Sequence, residues 1–414
     1  MTDRTAVNEK NRDENPPTAA RTRRRALFGA MFLMATSAVG PGFITQTTVF
    51  TAQLGAAFAF AIVVSVLVDI AIQLNVWRVV GVSGMRAQEL ANRVLPGAGY
   101  GLAALDIFGG LVFNIGNIAG TALGLNALLG LDVKIGGGVS ALVAIAIFLS
   151  RRAGVAMDRI VILLGGAMIL LTLYVAFVSD PPLGEALRQS VAPETVDFLV
   201  ITTLIGGTVG GYITYAGAHR MIDSGLTGRE NVREINRSAV TGILITGLMR
   251  VLLFLPVLGV VAGGVKLAEA NAPASAFEHA AGEAGLRLFG LIMWSAAITS
   301  VIGASYTSVS FLVSFSSFVE RHRNRLVVAF ILVSAAIYLA LGTAPAKLLV
   351  LAGALNGLIL PFGLAVLLWA AGRRRDLLGG YRYPVWLLVL GAAAWLLALY
   401  LGWNSLSGLD DLWG

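Results

Sequence analysis

The sequence predicts an all-α polytopic membrane protein of eleven spans, on three observations. Apolar residues make up 57% of the 414 and charged residues only 13%, with a mean hydropathy of +0.80. An ordinary globular balance lies far from this. The apolar residues fall in runs of the length that crosses a bilayer core, about 20 residues. The charged residues fall between those runs, in short clusters that alternate in abundance.

Within hydrocarbon only a helix satisfies its own backbone along a single segment, so each long apolar run is read as one helix. This places spans over 26–53, 55–77, 100–129, 135–150, 159–178, 198–221, 238–264, 286–318, 326–342, 346–371 and 384–403. The fourth is short, and the eighth is long enough to continue into water. Residues 1–25 are polar, with Asn15-Pro16-Pro17 and an arginine cluster from Arg21 to Arg25, and read as a disordered cytoplasmic tail. Residues 404–414 read as an external tail. The first apolar run leads into further spans and lacks a small-residue cleavage site, which argues against a removable signal peptide. The longest connections, 179–197 and 265–285, leave no room for a soluble domain.

Orientation follows from the cations. With the N-terminus inside, 24 of the 30 lysines and arginines lie in cytoplasmic segments. Five lie outside (Lys134, Arg188, Lys266, Arg287, Lys347), and Arg250 lies within a span. This bias puts the N-terminus in the cytoplasm and, with an odd span count, the C-terminus outside. The net charge of +7 belongs to this topology, not to a nucleic-acid-binding face. The absence of cysteine removes disulfides and thiolate metal sites.

Two spans are interrupted. Gly40-Pro41-Gly42 breaks the first, and Gly206-Gly207-Thr208-Val209-Gly210-Gly211 breaks the sixth. Pro41 removes a backbone donor, and the glycines permit dihedrals that other residues avoid. In lipid such a break survives only beside protein, water or solute. Matched breaks in two halves of a chain point to the midplane site of a secondary transporter. Spans 1–5 (26–178) and 6–10 (198–371) form two such halves, with 384–403 left over. An odd number of spans per half makes the repeat inverted. Polar residues follow each break: Thr45, Gln46, Thr47, Thr48 and Thr51, then Tyr212, Thr214 and Tyr215. With Gly40, Gly42, Gly210 and Gly211 they are the candidate substrate-binding residues. The competing reading is that the glycines serve close helix packing.

With that architecture, the chain resembles the NRAMP family of secondary transporters, and within it a divergent bacterial branch. The resemblance covers about 26–403. It rests on Gly40-Pro41-Gly42-Phe43, on the Asp69-Ile-Ala-Ile-Gln73 stretch and on Gly206-Gly-Thr-Val209. It implies a LeuT-type five-plus-five inverted repeat plus one helix, with helices 1 and 6 unwound at midplane. Typical members carry Asp-Pro-Gly-Asn in the first break and Met-Pro-His in the second, and these bind the metal. Here the matching positions of the first break read Gly40-Pro41-Gly42-Phe43 or, if that run pairs with the family's earlier Gly-Pro-Gly-Phe, are followed by Ile44-Thr-Gln-Thr-Thr48, and those of the second read Gly210-Gly211-Tyr212; neither pairing supplies a carboxylate, and the thioether and imidazole are gone as well.

Transition metals favour imidazole, thioether, thiolate or carboxylate ligands, and even hydrated Mg²⁺ calls for one or two carboxylates. Hydroxyls, amides and helix N-termini suit a small organic carboxylate better. The branch resembles proteins associated with the use of 5-oxoproline, which makes that compound the first candidate substrate. The alternative is a divalent metal cation of Mn or Mg type. No resident metal or cofactor is called for.

Ionisable groups at membrane depth are functional candidates by default. Asp69, placed two-thirds along the second span, either carries a coupled proton or pairs with Arg78 or Arg250. Asp106 reads as a solvated end charge or a coupling site, and His219 as a solvated cap or a proton relay. Arg250 reads as balancing a carboxylate, snorkelling, or attracting an anionic substrate. Asn114 and Asn117 share a face of the third span, either lining the cavity or bonding helices together. Ser305 and Thr307, in a polar stretch of the eighth span, are candidates for a coupling-ion site, H⁺ or Na⁺. No intramembrane catalytic constellation and no phosphate-binding loop appears, so neither an enzyme nor a primary pump is expected.

Overall fold

The computed structural model describes residues 38–341 and 345–413, and the tail at 1–25 and the opening half of the first span lie outside the described residues. Every regular element among the described residues is helical. In chain order the helices are α1 (Pro41–Leu54), α2 (Phe58–Ser83), α3 (Ala87–Val94), α4 (Ala98–Leu129), α5 (Val133–Leu149), α6 (Arg151–Ser179), α7 (Leu183–Val191) and α8 (Phe198–Val209). There follow α9 (Tyr212–Asp223), α10 (Val232–Ala262), α11 (Ala272–Val313), α12 (Ser317–Arg321), α13 (Arg323–Leu341), α14 (Pro345–Arg373) and α15 (Val385–Trp413).

Eight helical stretches among the described residues are long and apolar enough to cross a membrane, and the bent pair Leu163–Ser179 with Leu183–Val191 makes nine. The reading of eleven differs from this for local reasons. Val133–Leu149 has only 17 residues, and Pro41–Ser83 joins two expected segments into one apolar stretch. The last helix is longer than the 384–403 expected. It runs on to Trp413, so 404–413 continues the helix. Ser405 lies inside it, donating to Leu401 O and within 2.8 Å of the Thr202 hydroxyl.

Local chemistry sets the ends. Asp132 caps α5 by accepting from Lys134 N–H, and Asp197 caps α8 by accepting from Val200 N–H at 3.0 Å. Gly84 and Gly130 close α2 and α4 in the left-handed conformation. Glycines also set the close helix pairings. A Cβ at Gly124 would run into the Trp294 backbone of α11, and one at Gly290 into the Leu128 backbone of α4. At the α8–α14 seam, Gly206 lies against the backbone of Gly353 and Gly357. Without a hydrophobic drive between helices in lipid, such backbone contact supplies the packing.

Candidate functional site

Both expected breaks are present. The first helix bends at Val39-Gly40, and α1 restarts at Pro41 with no side chain capping its N-terminus. The sixth span divides into α8 and α9 at Gly210-Gly211, where Gly211 has φ +49°. That dihedral suits glycine alone among ordinary residues.

Six helices meet around the two breaks. From α1, Gln46 donates to Leu349 O of α14 at 3.0 Å and lies against Gly207 of α8. From α4, Phe113 packs edge-on to Tyr212 of α9, with ring centroids 5.6 Å apart. Asn117 lies close to the Tyr212 hydroxyl. From α11, Ser300 faces Gly40, where a Cβ would lie 2.9 Å from its hydroxyl and 3.9 Å from Asn117 Oδ1. Ser308 sits over Gly110, beside Tyr212. From α14, Asn356 donates to Gly109 O at 3.1 Å and Ala352 O at 2.9 Å, while its Oδ1 rests against Gly211.

Six side-chain atoms of this cluster are buried and have no partner in the protein: Thr45 Oγ1, Gln46 Oε1, Asn117 Nδ2, Ser300 Oγ, Ser308 Oγ and Asn356 Oδ1. A buried unmatched polar group costs about 1–3 kcal/mol. A cluster of them is where a polar solute is repaid for losing its water. Every member is neutral. Among the described residues no group of three His, Cys, Asp or Glu converges anywhere.

The expected site residues divide under this geometry. Gly40, Gly42, Thr45, Gln46, Gly210, Gly211, Tyr212 and Asn117 lie at or beside the breaks. Thr47 is spent within its own helix, donating to Phe43 O at 2.7 Å, as Thr48 is to Ile44 O and Thr51 to Thr47 O. Thr214 donates to Gln73 Oε1 at 2.6 Å and so ties α9 to α2. Asn114 turns away from Asn117 and donates to Ser305 and Ser334, each at 3.0 Å, joining α4, α11 and α13. This is the helix-bonding reading of Asn114. The Ser305 hydroxyl donates back to Val301 O, and Thr307 is buried on α11.

The charged candidates depart from their expected settings. Asp69 lies near the middle of α2, not two-thirds along, because the helix continues to Ser83, past the apolar run. Arg250 lies past the middle of α10, which begins at Val232 in a charged turn. Both are buried, at 1% and 2% exposure. Asp69 interacts with Arg250 and with the Thr208 hydroxyl. Arg78 takes no part: its Nε donates to Asn236 at 3.1 Å. Asp106 is not a solvated end charge. It is buried, with Oδ2 unpartnered and Tyr215 nearby. Nor is His219 a solvated cap. It is buried between Tyr215 and Phe311, centroids 6.0 and 5.1 Å away, and accepts from Ala87 N–H. In both cases a neighbouring helix covers what hydropathy had placed in water.

Ser300 and Ser308 belong to the polar stretch of the eighth span already read as a candidate lining of the path or of an ion site, whereas Asn356 was not among the expected site residues. It precedes Gly357 and Pro361, and α14 continues through Pro361. An asparagine inside an otherwise apolar run was the available signal.

Comparisons with known proteins agree with this architecture. The Natural resistance-associated macrophage protein-like family matches residues 31–407. An uncharacterized membrane protein of Bacillus subtilis, YcsG, is 51% identical over 388 residues, covering 94% of this chain and 96% of its own. Among solved structures, a manganese transporter of Eremococcus coleocola superposes with a TM-score of 0.71 at 17% identity, over 92% of this chain and 86% of its own. MhsT, solved with L-phenylalanine, superposes with a TM-score of 0.65 at 15% identity, over 90% and 97%. By the match across its membrane region and the fold it shares with these transporters, this chain belongs to the Nramp family of multi-pass membrane transporters.

Proposed function

We propose that this chain is a secondary active transporter whose midplane site takes a small organic carboxylate or amino-acid derivative, with 5-oxoproline the first compound to test. Its scaffold comprises two inverted repeats, 26–178 and 198–371, plus the final helix, in a bacterial inner membrane with the N-terminus cytoplasmic. Coupling is to H⁺ or Na⁺ by alternating access. The observation that carries the substrate reading is the set of six unpartnered neutral polar atoms around the two breaks. Hydroxyl, amide and carbonyl groups beside the uncapped N-terminus of α1 match an amide and a carboxylate, and Phe113 and Tyr212 offer flat faces to a small ring. A dehydrated divalent cation would meet no balancing charge among these six atoms.

Family membership favours a second reading, a divalent metal cation as cargo. Proteoliposome uptake of labelled 5-oxoproline and of Mn²⁺, with and without a pH gradient, separates the two. Concentrative uptake of 5-oxoproline supports the first. Robust Mn²⁺ uptake with none of 5-oxoproline overturns it.

A further inference from the structure

One buried charge cluster stands beside both breaks and is absent from the neutral site itself. Arg250 of α10 donates through Nη2 to the Thr208 hydroxyl at 3.3 Å. Its guanidinium lies 4.2 Å from the centroid of the Phe43 ring. Asp69 of α2 lies close to both Arg250 and Thr208, whose own hydroxyl donates to Leu204 O at 2.9 Å. Thr208 is two residues before Gly210, and Phe43 is three after Gly40, so four elements (α1, α2, α8 and α10) converge here. Asp69 Oδ1 and Arg250 Nη1 are both buried without a partner. The two charges therefore lie close together inside the protein, and each keeps one open bonding position. Removing one partner of a buried pair leaves an uncompensated charge, so neither charge can change alone.

We propose that Arg250 anchors the carboxylate of the transported anion, and that Asp69 releases Arg250 to it by taking up the coupled proton. The proposal rests on the organic-anion reading above. In the empty state the Asp69 carboxylate compensates the guanidinium. On loading, a proton from water bonds to an Asp69 oxygen, and the substrate carboxylate becomes the guanidinium's counter-ion at Nη1. One proton and one monoanion enter together, so the cluster's net charge is the same before and after.

The groups facing Asp69 fit this exchange. Arg250 comes from α10 and the neutral Thr208 from α8. On α9, Thr214 bonds Gln73, a turn further along α2. Tyr383 meets Asn75 and Arg78 beyond that. At the other end, Glu185 and Arg188 of α7 are paired with one another.

The test is equilibrium binding of labelled 5-oxoproline, and of its neutral carboxamide, to the purified full chain across pH. For wild type, affinity for the acid rises about tenfold per unit fall in pH while Asp69 is ionised, because one proton is bound with the ligand. In Asp69→Asn the acid binds with no pH slope, and in Arg250→Gln its binding is lost. The carboxamide shows no slope in any variant. The double variant Asp69→Asn/Arg250→Gln removes both charges and controls for folding by size exclusion and thermal melting. If the single variants do not fold, wild-type uptake decides: a pH gradient drives it, and an imposed membrane potential leaves it unchanged. A wild-type slope in Asp69→Asn, unchanged binding in Arg250→Gln, or uptake driven by the potential alone overturns the proposal. A wild type that binds no acid at any pH takes down the substrate reading, and this proposal with it.

Discussion

The two breaks do the same job by different means. At the first, proline restarts the helix, and the hydroxyls of Thr47, Thr48 and Thr51 bond to carbonyls one turn back. A Cβ on Gly42 would make only ordinary contacts, 3.6–3.8 Å, with Gln46, Leu349 and Phe113. At the second, two glycines open the chain, Gly211 has a positive φ, and Asn356 of α14 fills the space beside it. The first break is thus set by its own sequence. The second is held open by a neighbour, and its geometry depends on tertiary contact.

That contrast can be broken at its strong end. Gly211→Ala forces a non-glycine residue into a strained dihedral, about 1–3 kcal/mol, and drives a Cβ into Asn356. Uptake should fall roughly 100-fold, the equivalent of ~2.7 kcal/mol, with a lower melting temperature. Gly42→Ala should stay within about threefold of wild type, since ordinary contacts of this kind cost well under 1 kcal/mol. Equal losses in the two variants would erase the distinction. Asn356→Ala tests the neighbour directly. It removes two buried hydrogen bonds, about 1 kcal/mol each, and should lower uptake about tenfold while the protein still elutes as a single species.

Smaller effects sharpen the picture. Gln46→Ala and Tyr212→Phe should each weaken substrate affinity several-fold, a loss of about 1 kcal/mol per hydrogen bond, with melting temperature preserved. Affinity unchanged in both would move the site away from the breaks. The smallest effect is expected far from either break. Arg188 binds Glu185 and Glu194 on the surface and holds the Glu185 carboxyl down at about 2. A lowered carboxyl contributes stability above its unfolded value and loses it only as pH falls through the folded one. Glu185→Gln should therefore lower the melting temperature only slightly, because an exposed pair contributes little, and leave its pH profile between pH 5 and 8 unchanged.

What could be read from sequence and what could not divide along the same line. Apolar run length, Gly40-Pro41-Gly42 and Gly210-Gly211 are local signals, and each produced the structure it implied. The roles of Asn356, Asp106, His219 and Arg250 depend on which side chain another helix brings across. Asp106 looked solvated because hydropathy sees its own helix and not the Tyr215 that covers it. Thr47 and Thr214 looked free for the opposite reason: a hydroxyl's partner can be its own helix or another one, and spacing does not tell them apart.

The α8–α14 seam, with Gly206 pressed onto the backbone of Gly353 and Gly357, bears on motion as much as on packing. Interdigitated side chains lock two helices like gear teeth, because a packed interface has discrete arrangements and resists continuous shift. A seam of bare backbone has no teeth. It works as a plain bearing, along which one helix can glide or pivot while staying in contact. A single added methyl would seize it, so the smallest residue in the break motif sets how freely the two helices can move past one another.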